Sequence, residues 1–86
     1  GSQSTAIGFG ALQSQNFTTA TNTYNTAVGV NAGAAVTTGV RNTIVGGLAG
    51  DGMTTGSENT FIGYSAGGTG VVTGNDNTCV GRDAGN

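Results

Sequence analysis

Side chains that could do acid–base, nucleophilic or metal chemistry are sparse in this chain. Histidine is absent, which removes both a histidine base and a histidine metal ligand. The four carboxylates, Asp51, Glu58, Asp76 and Asp83, are scattered, whereas glycoside hydrolysis needs a facing pair. Gly50-Asp51-Gly52 and Gly74-Asn75-Asp76 carry too little aspartate for a calcium-binding repeat and read as corner turns. Gly8-Phe9-Gly10 and Gly46-Gly47 are not followed by the lysine and hydroxyl residue of a phosphate loop. Cys79 is the only cysteine; it has no internal partner and reads as a small buried apolar residue. Asn16-Phe17-Thr18 fits a glycosylation sequon by pattern alone. The expectation is therefore a non-enzyme with no catalytic residue, no cofactor and no metal site.

Binding chemistry is limited in the same way. Arg41 and Arg82 are the only basic residues and the net charge is −2, so the chain offers no basic footprint for nucleic acid or an anionic membrane. No apolar run approaches the ~20 residues of a membrane-spanning helix. Among the few aromatics, Phe17, Tyr24 and Tyr64 are the candidates for stacking on a glycan.

The elements that would position these residues are announced by an internal repeat. The form Asn/Ser-Thr-x-Val/Ile-Gly-x-x-Ala-Gly starts at Ser4, Asn25, Asn42, Asn59 and Asn77, with Leu12 in place of the last glycine in the first copy. A weaker element follows each copy: Thr18-Thr19-Ala20, Thr37-Thr38-Gly39, Thr54-Thr55-Gly56 and Thr73-Gly74. Each copy holds a short run of β-formers closed by glycine. The run is too short and the glycine too frequent for a helix. Short strands separated by tight corners predict an all-β parallel solenoid with coils of 17–18 residues, stacked so that residues of equal rank lie ~4.8 Å apart. Residues 1–3 read as the remnant of a removed tag with a lead-in. Residues 4–86 read as one repeat domain of about five coils, a fragment of a longer fibre. The segment Leu12–Tyr24 exceeds the rhythm and is expected to bulge as a loop.

Alternation along the strand assigns faces. Repeat positions two and four share one face, and positions one and three the other. The β-branched column Ile7, Val28, Val45, Ile62 and Val80 is expected to form the coil core. The variable column Ala27, Ile44, Phe61 and Cys79 is expected to point outward, and its apolar character then calls for a trimer interface. The Asn25, Asn42, Asn59 and Asn77 column is expected to form an amide ladder. Ala11, Ala32, Ala49, Ala66 and Ala84 form a small-residue column suited to a tight interior. Arg41 and Glu58 fall in one column on neighbouring coils, which supports the register.

Thr5-Ala6-Ile7-Gly8 and Asn25-Thr26-Ala27-Val28-Gly29 resemble the Ser-Val-Ala-Ile-Gly repeats of trimeric autotransporter adhesin heads of the YadA-like type. The longer Asn-Thr-x-x-Gly-x-x-Ala-Gly form with its Thr-Thr-Gly echo resembles repeats of phage tail-fibre proteins. This resemblance covers about residues 4–86. It implies a left-handed β-roll, three identical chains around one axis, and a shaft on a virion tail fibre or bacterial surface that mediates attachment to a host glycan or receptor. The alternative is an ice-binding solenoid built on stacked threonines. Because the threonines at position two share the face assigned to the core, that alternative is left with Thr38, Thr55 and Thr73.

Overall fold

The computed structural model describes residues 3–15, 22–68 and 73–85. It is an all-β solenoid. Five short parallel strands, β1 (Thr5–Ile7), β2 (Thr26–Val28), β3 (Thr43–Val45), β4 (Thr60–Ile62) and β5 (Thr78–Val80), pair in sequence order into a single sheet. The register follows the repeat without slippage: Thr26 pairs with Thr43, Ala27 with Ile44 and Val28 with Val45, and the other three pairings follow the same rule. Coils of β-branched residues closed by glycine thus stack one on the next, as the repeat requires.

The coil turns at fixed places. After each strand, Gly-x-x-Ala closes a tight turn in which the alanine N–H donates to the glycine carbonyl, as in Ala49 to Gly46 and Ala66 to Gly63 at 3.1 Å each. The glycine of this turn has φ near +130°, for example +131° at Gly46, a region closed to residues with a Cβ. Space forbids a side chain there as well. A Cβ on Gly29 would lie 2.7 Å from the carbonyl carbon and oxygen of Gly46 in the coil below.

Backbone hydrogen bonds join the coils on every side. On the strand side, Thr26 N–H donates to Asn42 O at 2.8 Å, and Gly46 N–H donates to Val28 O at 2.7 Å. On the second side, Gly50 N–H donates to Ala66 O and Gly67 N–H to Ala84 O, both at 2.8 Å. On the third, Thr37 N–H donates to Thr54 O and Glu58 N–H to Val40 O, both at 2.9 Å. Side chains complete that third ladder where the backbone alone does not: Val40 N–H donates to Ser57 Oγ at 3.0 Å, and Ser57 N–H to Asn75 Oδ1 at 2.7 Å.

The asparagine column forms the expected ladder, at the corner where the chain enters each strand. Asn42 donates its N–H and Nδ2–H to Asn25 Oδ1 at 2.9 and 3.1 Å, and its Nδ2 also donates to Gly56 O at 2.9 Å. The unit then repeats: Asn59 N–H donates to Asn42 Oδ1, and Asn77 N–H and Nδ2–H donate to Asn59 Oδ1. Asn25, Asn42 and Asn59 are buried, so the bonds among them lie away from water, while those from Asn77 at the last coil are partly exposed. The first coil has Ser4 at this rank, and its Oγ pairs with Thr23 Oγ1.

The core is a narrow column of Leu12, Ala27, Ala32, Val36, Ile44, Ala49, Met53, Phe61 and Ala66, with Ala11 and Cys79 packed against it. This overturns the expected sidedness. Ala27, Ile44 and Phe61 are fully enclosed within the single chain, which leaves them no surface for another chain; Cys79 is half-buried at the open end of the column. Ile7, Val28, Val45, Ile62 and Val80 face outward, and Ile7 and Val80 are 60% and 65% exposed. The cause is the asparagine. Its amide needs partners in the neighbouring coils and a dry site, so position one turns inward and carries position three with it. The aliphatics of position four are then left outside.

Leu12 also departs from expectation. It is buried in the core and Thr23 is buried too, while residues 16–21 of the expected bulge lie outside the described residues.

Replacing Asn42 by alanine strands Gly56 O and Asn59 N–H and leaves Asn25 Oδ1 with only the backbone N–H of residue 42. Buried polar groups left unpaired cost ~1–3 kcal/mol each. Thr55→Ala on the exposed third side is expected to stay within ~0.5 kcal/mol of the parent. Denaturant unfolding of the two variants should therefore separate them by several kcal/mol, with Asn42→Ala the less stable.

Candidate interaction face

With positions one and three inside, the strand face shown to solvent consists of positions two and four. Position two is Thr5, Thr26, Thr43, Thr60 and Thr78, and position four is Ile7, Val28, Val45, Ile62 and Val80. Every one of these ten side chains is exposed or half-buried. Each column is in strict parallel register, so hydroxyls stack over hydroxyls and branched methyls over branched methyls. No charged residue occupies either column.

Beyond the glycine corner, position six carries Phe9, Val30, Gly47, Tyr64 and Arg82. Phe9 is 82% exposed, and Val30 and Tyr64 are more than half exposed. The ring of Tyr64 lies beside Gly47 on the preceding coil; a Cβ there would be in ordinary contact, 3.7 Å from Tyr64 Cδ2. The result is a ridge of bulky apolar groups, interrupted at Gly47 and ending in Arg82, along the edge of the threonine–aliphatic face.

The position before each asparagine forms the opposite edge of that face. Tyr24, Arg41, Glu58 and Asp76 occupy it, all with left-handed backbones, φ being between +51° and +62°. Arg41 Nη2 and Glu58 Oε1 are 3.4 Å apart, which confirms the register read from the sequence. Both side chains are about half exposed, so the pair contributes ~0–1 kcal/mol.

The glycan candidates are not brought together. Tyr24 lies on the charged edge and Tyr64 on the apolar ridge, with the strand face between them and in different coils. Phe17 lies outside the described residues. Gly50-Asp51-Gly52 is a turn, as expected; Asp51 Oδ1 is buried there without a hydrogen-bond partner. Among the described residues no group of three His, Cys, Asp or Glu side chains is placed to hold a metal ion. A cleft of about 260 Å³ at the last coil is lined by Phe61, Gly67, Asn77, Cys79 and Gly85, and is the open end of the core column. No helix of the described residues is long and apolar enough to cross a membrane.

Two features of the site were missed in the sequence. One is the inward role of Val36 and Met53, which fill the third side of the core three residues after Gly33 and Gly50. The other is the reason for the final glycine of the motif. A Cβ on Gly67 would meet the Phe61 ring at 2.7 Å, and one on Gly33 would meet Ile44 Cδ1 at 2.9 Å. That glycine makes room for the position-three side chain, and its recurrence was the available signal that position three points inward.

Scans against protein-family models, curated proteins and solved structures find no match to this chain.

The sidedness has a direct test. Ile44→Ala is expected to destabilise by about 2–5 kcal/mol through loss of burial and the cavity left behind. Ile62→Ala, one residue past the equivalent site on the next coil, should cost less because its side chain is already 39% exposed. Equal losses in thermal or denaturant unfolding would contradict the assignment.

Proposed function

We propose that the chain is a segment of an attachment-fibre shaft, of the kind found in phage tail fibres or bacterial surface adhesins, with three copies side by side and no catalytic role. The supporting observation is the ridge at position six. Phe9, Val30 and Tyr64 run along one line parallel to the stack and stand in water in the isolated chain. Aligned apolar groups of this size on a small glycine-rich domain favour association. The core they leave behind is slender, being four alanines and five larger side chains among the described residues, so contacts between copies add stability that a single stack lacks.

A threefold arrangement with the ridge toward the axis keeps all coils at matching heights. It turns the strand face and the charged edge away from the axis. In this reading the fibre is extracellular, on a virion or a cell surface, and its outward faces meet the target.

Native mass spectrometry or light scattering at micromolar concentration is expected to give three times the chain mass. Val30→Asp should shift the mass toward one chain while circular dichroism keeps its β signature. A single-chain mass for the parent sequence would overturn the shaft reading.

A further inference from the structure

We infer that the threonine–aliphatic face of β1–β5 is an ice-binding surface, and that the solid it adheres to is ice. The inference takes its idea of attachment from the shaft reading above, but its geometry comes from the fold alone. The threonine column of position two lies outside, with all five threonines exposed or half-buried.

The face has the properties such a ligand demands. It is a two-dimensional lattice. Along the stack, the parallel register repeats each side chain every ~4.8 Å, and along the strand, positions two and four are ~6.6 Å apart. The stack repeat, the direction in which the hydroxyls recur once per coil, is close to an oxygen repeat on the prism faces of hexagonal ice. The lattice is held by backbone pairing from strand to strand, with five strands in unbroken register from Thr5–Ile7 to Thr78–Val80. Threonine and valine or isoleucine are also stiff about χ1, so the hydroxyls and methyls are fixed in place before any water arrives.

The chemistry of the face excludes other occupants better than it excludes ice. A hydroxyl on every coil leaves too many polar groups for a dry protein interface, because each would need a partner. A row of exposed branched methyls is poorly suited to a sugar, and the aromatic rings that would stack on one lie on separate edges. No ion is recognised by a face that carries no charge. A column of hydroxyls beside a column of methyls fits water that is itself ordered: the hydroxyls join its hydrogen-bond network and the methyls sit in its cages.

Thermal hysteresis of the whole chain, measured with a nanolitre osmometer, tests the inference. The expected result is a freezing gap that Thr43→Tyr removes almost entirely, since a ring at the centre of the face lifts it off a flat crystal. Thr55→Tyr on the third side should leave the gap unchanged. Thr26→Tyr replaces Thr43→Tyr should the latter lose its circular-dichroism signature. Absence of hysteresis in the folded parent chain overturns the inference, as does equal hysteresis in the Thr43 and Thr55 variants. A three-chain mass without hysteresis overturns the ice-binding face and leaves the shaft standing; a one-chain mass with hysteresis does the reverse.

Discussion

The buried asparagine ladder is the constraint on which the other features depend. Each amide ties three places together: the coil before it, the coil after it through its own oxygen, and the glycine carbonyl at the end of its own coil. These bonds are made in a dry interior, where leaving one unmade costs more than making one gains. A slip of register by one residue would put every amide into solvent and every threonine into the core. The ladder therefore selects the pairing, and the pairing selects both surfaces. It also explains how so small an apolar core suffices, since much of the inter-coil cohesion is polar and directional.

Much of this was legible before the structure. The repeat gave the strands, the coil boundaries and the pairing of Arg41 with Glu58, because a period of 17–18 residues with β-formers at fixed rank admits few other arrangements. The asparagine ladder and the inward alanine column were also visible. Sidedness was not. Strand alternation says which residues share a face but is silent on which face is covered. Constant β-branched residues at positions two and four suggested a core, yet strand propensity favours them equally on an open surface. The inward position three varies in size, from Ala27 to Phe61, because the packing partners around each coil vary with it.

The space for that variation comes from glycine and alanine. Phe61 fits because Gly50 and Gly67 leave the volume its ring fills, and Met53 closes the third side while its sulfur accepts a hydrogen bond from Asn59 Nδ2 at 3.3 Å. Size in one position is matched by its absence in another, as close packing demands. Function is drawn from the surface left over: a ridge of bulky apolar groups on one edge, charges on the other, and between them an uncharged grid.

The direction of the inter-coil hydrogen bonds has a mechanical consequence. They run along the stack, so tension applied to the two ends of a chain loads them one layer at a time rather than together in shear. A coil released at an end gives up its bonds to a single neighbour and leaves the next layer intact, as expected where each repeat touches only the adjacent ones. Each such event frees 17 or so residues, roughly 55–60 Å of extended chain. Under load the chain would lengthen in equal steps, absorbing work at every one while the remaining layers keep their shape.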